Sequence, residues 1–139
     1  SATIIIMGNA TIEDCTSNYY GGGVYGSEGA EVTVKDSATI RNCSAKYGGG
    51  IRGAASATII IMDNATIEDC TSDYDGGGVD GWLRAEVTVK DAATIRNCSA
   101  RNGGGIKGYT NSTIIIMGNA TIADCTSING GGGVQGRGA

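Results

Sequence analysis

The sequence has no histidine, no proline and no phenylalanine in its 139 residues, and Trp82 is its one tryptophan. Without histidine, neither a Ser-His-Asp triad nor a Cys-His pair can be assembled, and histidine-ligated metal sites are excluded. Hydrolase or protease chemistry of that kind is therefore ruled out. The apolar residues left to build a core are Ile, Val and Ala, short or β-branched side chains suited to tight layers of strands. Basic residues are also few: 10 Lys and Arg stand against 14 Asp and Glu, a net charge of −4. No basic stripe is present to neutralise phosphates, so nucleic acid is not expected as a partner. The longest apolar run, such as Ile4-Ile5-Ile6-Met7, is far too short to cross a bilayer, and no membrane span is expected. No charged-then-apolar leader opens the chain, which reads as a mature or excised segment.

What the chain does have is 25 glycines and a strict internal beat. Ala38-Thr39-Ile40-Arg41-Asn42-Cys43 returns with small changes at Ala10–Cys15, Ala65–Cys70, Ala93–Cys98 and Ala120–Cys125. The cysteines are therefore spaced 28, 27, 28 and 27 residues apart. A Gly-Gly-Gly-Val or Gly-Gly-Gly-Ile marker, ending at Val24, Ile51, Val79, Ile106 and Val134, keeps the same time. A fixed period in this range means supersecondary units that bury a core only against their neighbours.

The full repeat is double. Rungs of type A (SATIIIM…NATIEDC) alternate with rungs of type B (AEVTVKD…ATIRNC), giving five in the order A, B, A, B, A, at about residues 1–29, 30–56, 57–84, 85–111 and 112–139. Such a unit has no room for a crossover helix, but three short strands and three turns fit it. In the first rung these are expected at 3–7, 10–13 and 23–25, and in the second at 31–35, 38–41 and 50–52. The fold expected is all-β, a single right-handed parallel β-helix, since parallel connections are overwhelmingly right-handed. It begins and ends inside the repeat, uncapped at both ends.

Period-2 alternation points Ile4, Ile6, Val32, Val34, Ile59, Ile61, Val87, Val89, Ile114 and Ile116 inward, while Ile5, Met7, Ile60, Met62, Ile115 and Met117 face out with Thr33, Lys35, Thr88 and Lys90 between them. The outward apolar stripe is a candidate lateral contact surface. Ala10, Ile12, Val24 and their equivalents form stacked inward columns. Gly8-Asn9, Asp36-Ser37, Asp63-Asn64 and Gly118-Asn119 sit where a turn tolerant of positive φ belongs. The two full copies differ mainly after the glycine triplet, with Tyr25-Gly-Ser-Glu-Gly against Asp80-Gly-Trp-Leu-Arg and Arg52-Gly-Ala-Ala against Lys107-Gly-Tyr-Thr. That corner reads as one that tolerates change.

An apolar-x-x-polar element followed by a glycine-rich tetrapeptide, as in Ile40-Arg41-Asn42-Cys43 with Gly49-Gly50-Ile51, resembles the FxxN and GGA[ILV] repeats of chlamydial polymorphic outer-membrane proteins and related surface proteins. Here Ile replaces Phe, and Cys stands at the inward Asn position. The resemblance implies an extended β-helical passenger domain with an adhesive or structural role, and it implies that Cys15, Cys43, Cys70, Cys98 and Cys125 form an inward thiol ladder. Parallel Cβ vectors on stacked neighbours disfavour disulfides, so free buried thiols are expected.

Carboxylates at 13, 14, 68, 69 and 124 repeat with the scaffold, as surface ladders do, instead of forming one singular catalytic site. Glu13, Arg41, Glu68 and Arg96 should alternate up one face, and Asp14, Asn42, Asp69, Asn97 and Asp124 read as turn residues more readily than as calcium ligands. Asn9, Asn64 and Asn119 are the accessible N-glycosylation sequons if the source is eukaryotic and secretory. The Thr11, Thr39, Thr66, Thr94 and Thr121 column resembles that of ice-binding solenoids, but its neighbouring column carries Glu and Arg.

The expected function is that of a non-enzymatic structural or adhesive solenoid, extracellular or at a cell surface, without cofactor or metal, that stacks end to end on copies of itself. A host surface or a glycan is the further partner considered. A carbohydrate-binding or carbohydrate-active β-helix and an ice binder are the alternatives. End-to-end stacking would set the Glu13 of one copy beside Ala123 of the next, where the other A rungs carry Glu, so a like-charge contact would be avoided.

Overall fold

The computed structural model describes residues 2–137, and within them the chain is a parallel β-solenoid of five rungs with no helix. Sheet A stacks β1 (Thr3–Ile6), β4 (Glu31–Val34), β8 (Thr58–Ile61), β12 (Glu86–Val89) and β16 (Thr113–Ile116). Sheet B stacks β2 (Thr11–Glu13), β5 (Thr39–Arg41), β9 (Thr66–Glu68), β13 (Thr94–Arg96) and β17 (Thr121–Ala123). Sheet D stacks β3 (Val24–Gly26), β7 (Ile51–Ala54), β11 (Val79–Trp82), β15 (Ile106–Tyr109) and β19 (Val134–Arg137). These are the three expected walls, each strand within a residue or two of its expected bounds.

The structure adds a fourth wall. Sheet C, between B and D, holds β6 (Ser44–Tyr47), β10 (Thr71–Asp75), β14 (Ser99–Ala100) and β18 (Thr126–Ser127), and Thr16 of the first rung joins it through a bridge to Ser44. A rung thus carries up to four strands, one more than the sequence led us to expect. The reason is chemical: this wall turns only Ala45 and Ala100 inward as apolar residues, too small to show as a hydrophobic alternation.

In-register pairing explains why the repeat is so strict. Ile4, Val32, Ile59, Val87 and Ile114 are successive partners across sheet A, and Ile12, Ile40, Ile67, Ile95 and Ile122 across sheet B. In the middle rungs these side chains are fully buried in one continuous core with Val79, Ile106 and the buried cysteines. Replacing one of them, such as Ile67, by alanine should cost ~2–5 kcal/mol. Ile116 and Val134, expected inward, are partly exposed because no rung covers their far side.

The turns follow the backbone demand. Gly8, Asp36, Asp63, Asp91 and Gly118, between sheets A and B, all have positive φ. Asp36, Asp63 and Asp91 each accept a hydrogen bond through Oδ2 from the backbone N–H of the equivalent residue one rung back, at 2.9–3.2 Å. The residue before every cysteine (Asp14, Asn42, Asp69, Asn97, Asp124) also has φ between 51° and 58°, a region that Asp and Asn tolerate better than other side chains, so this column is turn chemistry.

The 28/27 alternation has a local cause. Cysteine to the end of the glycine marker is nine residues in A rungs and eight in B rungs. The extra residue sits in sheet C, where the register slips between Ser72 and Asp75 against Ala45 and Tyr47. Ser72 holds this bulge: its hydroxyl lies 3.1 Å from the Lys46 carbonyl and 2.8 Å from the Asp75 carbonyl, and it accepts from Tyr74 N–H. B rungs carry Ala45 and Ala100 at this place and make no bulge.

Candidate ligand cleft

Sheet C ends at a sharp reversal. Tyr20, Tyr47, Asp75 and Asn102 each precede the first glycine of a triplet, and Gly21, Gly48, Gly76 and Gly103 take φ of 54–68°. The second glycine of each triplet then folds back against stacked backbone: a Cβ on Gly49 would strike the Thr71 and Gly77 carbonyls. Only glycine fits there. The chain tip therefore stands as a wall beside the outer face of sheet D, and between them lies a cleft of about 470 Å³, within the roughly 300–1,000 Å³ of small-molecule sites.

Three columns of side chains, each running along the solenoid axis, build this cleft. The tip column is Tyr20, Tyr47, Asp75 and Asn102, paired rung to rung. The floor is the outward column of sheet D, Arg52, Asp80, Lys107 and Gln135 in register. The far wall is Trp82, Tyr109 and Arg137, two residues further along the same strands. Although the floor faces away from the core, the flanking columns cover it: Arg52, Asp80 and Lys107 are 6 %, 1 % and 3 % exposed.

Arg52 Nη1 donates to Asp80 Oδ2 at 2.7 Å, a buried ion pair. The Arg52 guanidinium also lies 4.5 Å from the ring centre of Tyr20, 4.9 Å from Tyr47 and 5.4 Å from Trp82, so a cation is boxed by three aromatic faces. Burial pushes the Asp80 carboxyl up to about 7, against the opposing pull of Arg52. Arg52 Nε and Asp80 Oδ1 have no hydrogen-bond partner among the described residues. Asp75 is held by Asn102, whose Nδ2 donates to Oδ1 at 2.8 Å. Burial lowers the Lys107 ammonium, with Asp75 acting the other way.

None of these cleft residues was singled out from the sequence. The signal was there in another guise, because Arg52, Asp80, Trp82, Lys107 and Tyr109 belong to the segments where the two copies differ. What reads as tolerance of change is where the repeat gives way to a singular set of side chains.

The residues expected to matter are placed as follows. Cys43, Cys70 and Cys98 are buried, Cys15 and Cys125 partly so, and all five are free thiols, each Sγ donating to the carbonyl two residues back at 3.2–3.3 Å. Glu13 pairs with Arg41 and Glu68 with Arg96, at 2.7 and 2.6 Å; Ala123 follows Arg96 in the same column. Ile5, Met7, Ile115 and Met117 are exposed on the outer face of sheet A, and Ile60 and Met62 are half-buried there. Asn9, Asn64 and Asn119 are exposed. None of these groups lines the cleft. No protein-family model, curated protein or solved structure matches the chain.

Proposed function

We propose that this chain is a non-enzymatic, glycan-binding solenoid with an adhesive role at a cell surface. The observation that carries the reading is the cleft itself, lined by the aromatic side chains Tyr20, Tyr47, Trp82 and Tyr109 beside the planar polar groups of Arg52, Asn102 and Gln135. Sugar rings offer C–H faces to aromatics and hydroxyl pairs to amides and guanidinium groups, so the wall chemistry matches theirs. The cleft runs along the axis past rungs spaced about 4.8 Å apart, a step comparable with the advance of one pyranose along an extended glycan. Asp75 is held by Asn102, and Asp80 lies 1 % exposed beneath the cleft surface against Arg52, out of reach of a glycosidic oxygen, which suits holding a chain better than cleaving it. The likeness of its repeats to those of bacterial surface proteins agrees with this role.

The test is retardation of the protein in gels cast with polysaccharide. Binding without release of reducing ends is expected, and Trp82→Ala should weaken it about two- to tenfold. Turnover, or retardation indifferent to Trp82 and Tyr109, would overturn the reading.

A second reading, end-to-end stacking of copies, is favoured by one observation. Ala123 follows Arg96 where the column elsewhere sets Glu beside Arg, so a following copy's Glu13 would meet alanine. Ala123→Glu should weaken assembly most at low salt, and an unmodified protein that sediments as a monomer at high concentration would refute it.

A further inference from the structure

Lys107 is the least explained charge in the molecule. It is 3 % exposed, and among the described residues its ammonium makes no hydrogen bond and has no carboxylate within 4 Å. Its stem is buried and its Nζ opens onto the cleft; Asp80, its register partner, bonds Arg52, and Asp75 attracts the ammonium without pairing with it. A second cation stands beside it. The Arg137 guanidinium is 5.5 Å and the Lys107 Nζ is 5.6 Å from the same Tyr109 ring centre. The two cations line one end of the cleft with Gln135, while the other end holds Arg52, bonded to Asp80. The chain as a whole carries −4, so this positive end is local and opposes the net charge.

Resting on the glycan reading above, we infer that Lys107 and Arg137 form an anion subsite, so the preferred ligand is an acidic glycan whose carboxylate or sulfate group enters between them while its ring lies on Tyr109 or Trp82. An entering anion would relieve the repulsion between the two cations. Arg137 offers the planar fork that suits either group, and Lys107 adds a point charge.

The experiment compares four polymers at low salt: polygalacturonate, its methyl-esterified form, dextran sulfate and dextran. At least one acidic polymer should bind about tenfold or more tightly than its neutral counterpart, with the advantage shrinking as salt rises. Lys107→Met should abolish that advantage, read as the ratio of acidic to neutral affinity, whatever it does to the affinity for the neutral polymers. Whichever acidic polymer responds assigns the group as carboxylate or sulfate. Because the substitution keeps a stem of similar length and removes a cation that Arg137 repels, it should fold with thermal stability close to that of the native protein, and Arg137→Gln, at an exposed position, gives an independent check. Neutral polymers binding as tightly as acidic ones, or an acidic preference that survives Lys107→Met, would overturn the subsite and leave the glycan reading standing. Failure of all four polymers to bind would overturn both.

Discussion

Arg52 and Asp80, on adjacent rungs of sheet D, form a 2.7 Å ion pair on the outer face of the solenoid and yet are 6 % and 1 % exposed. The pair has a pH signature. The folded Asp80 carboxyl titrates near 7, against about 3.9 in an unfolded chain, so the native state binds the extra proton between those values. The stabilisation that the protonated, buried carboxyl gives is fully present below about pH 4 and is lost as the pH rises through 7, at up to ~1.4 kcal/mol per pH unit. Urea unfolding from pH 4.5 to 7.5 should show a steeper loss of stability in the native protein than in Asp80→Asn, which stays neutral throughout. Parallel slopes would remove Asp80 from the account.

The thiol column predicts a graded reactivity. Cys43, Cys70 and Cys98 are covered by rungs on both sides, whereas Cys15 and Cys125 lie in the outer rungs and are partly open. A thiol reagent should modify the outer two first and reach all five at comparable rates only in denaturant, as mass spectrometry of the labelled peptides would show. Early labelling of Cys70 would mean that the core opens locally.

Ser72 joins the fold to the cleft. Its hydroxyl bridges the Lys46 and Asp75 carbonyls and sets the bulge that positions Asp75. Ser72→Ala should destabilise by ~1 kcal/mol and weaken glycan binding as well. Lost stability with unaltered binding would show that the bulge serves the fold alone.

Strain is stored at the corner after the far wall. Thr110 and Asn111 have φ of 51° and 61°, as do Leu83 and Arg84 at 53° and 62° one rung back, and a β-branched residue is the least suited to that region. Thr110→Gly should raise stability by up to ~1 kcal/mol, visible as a higher melting temperature. A lower one would mean that the Thr110 side chain contributes packing that outweighs its strain.

Sheets A, B and D could be read from the sequence because each face is a column of one repeated residue type, as with Ile40 under Ile67 or Val32 under Ile59, and in-register stacking makes the period visible. The Glu13–Arg41 and Glu68–Arg96 pairs were legible for the same reason. Sheet C was not, since its inward residues are Ala45 and Ala100 and its bulge breaks the alternation. The cleft was hidden more deeply. Lys107 stands in register with Asp80, Arg52, Gln135 and Tyr25 in other rungs, so no period announces it, and its significance lies in which neighbour is already paired, a fact of three-dimensional contact.

Trp82 offers the most direct test of the cleft as a glycan site, because it is the one tryptophan in the chain and lines that site. Its fluorescence should change saturably as an acidic glycan is titrated in, with the change lost or displaced to higher concentration in Tyr109→Ala. Emission that stays constant across acidic and neutral glycans, at concentrations that saturate gel retardation, would place any binding elsewhere and contradict the account.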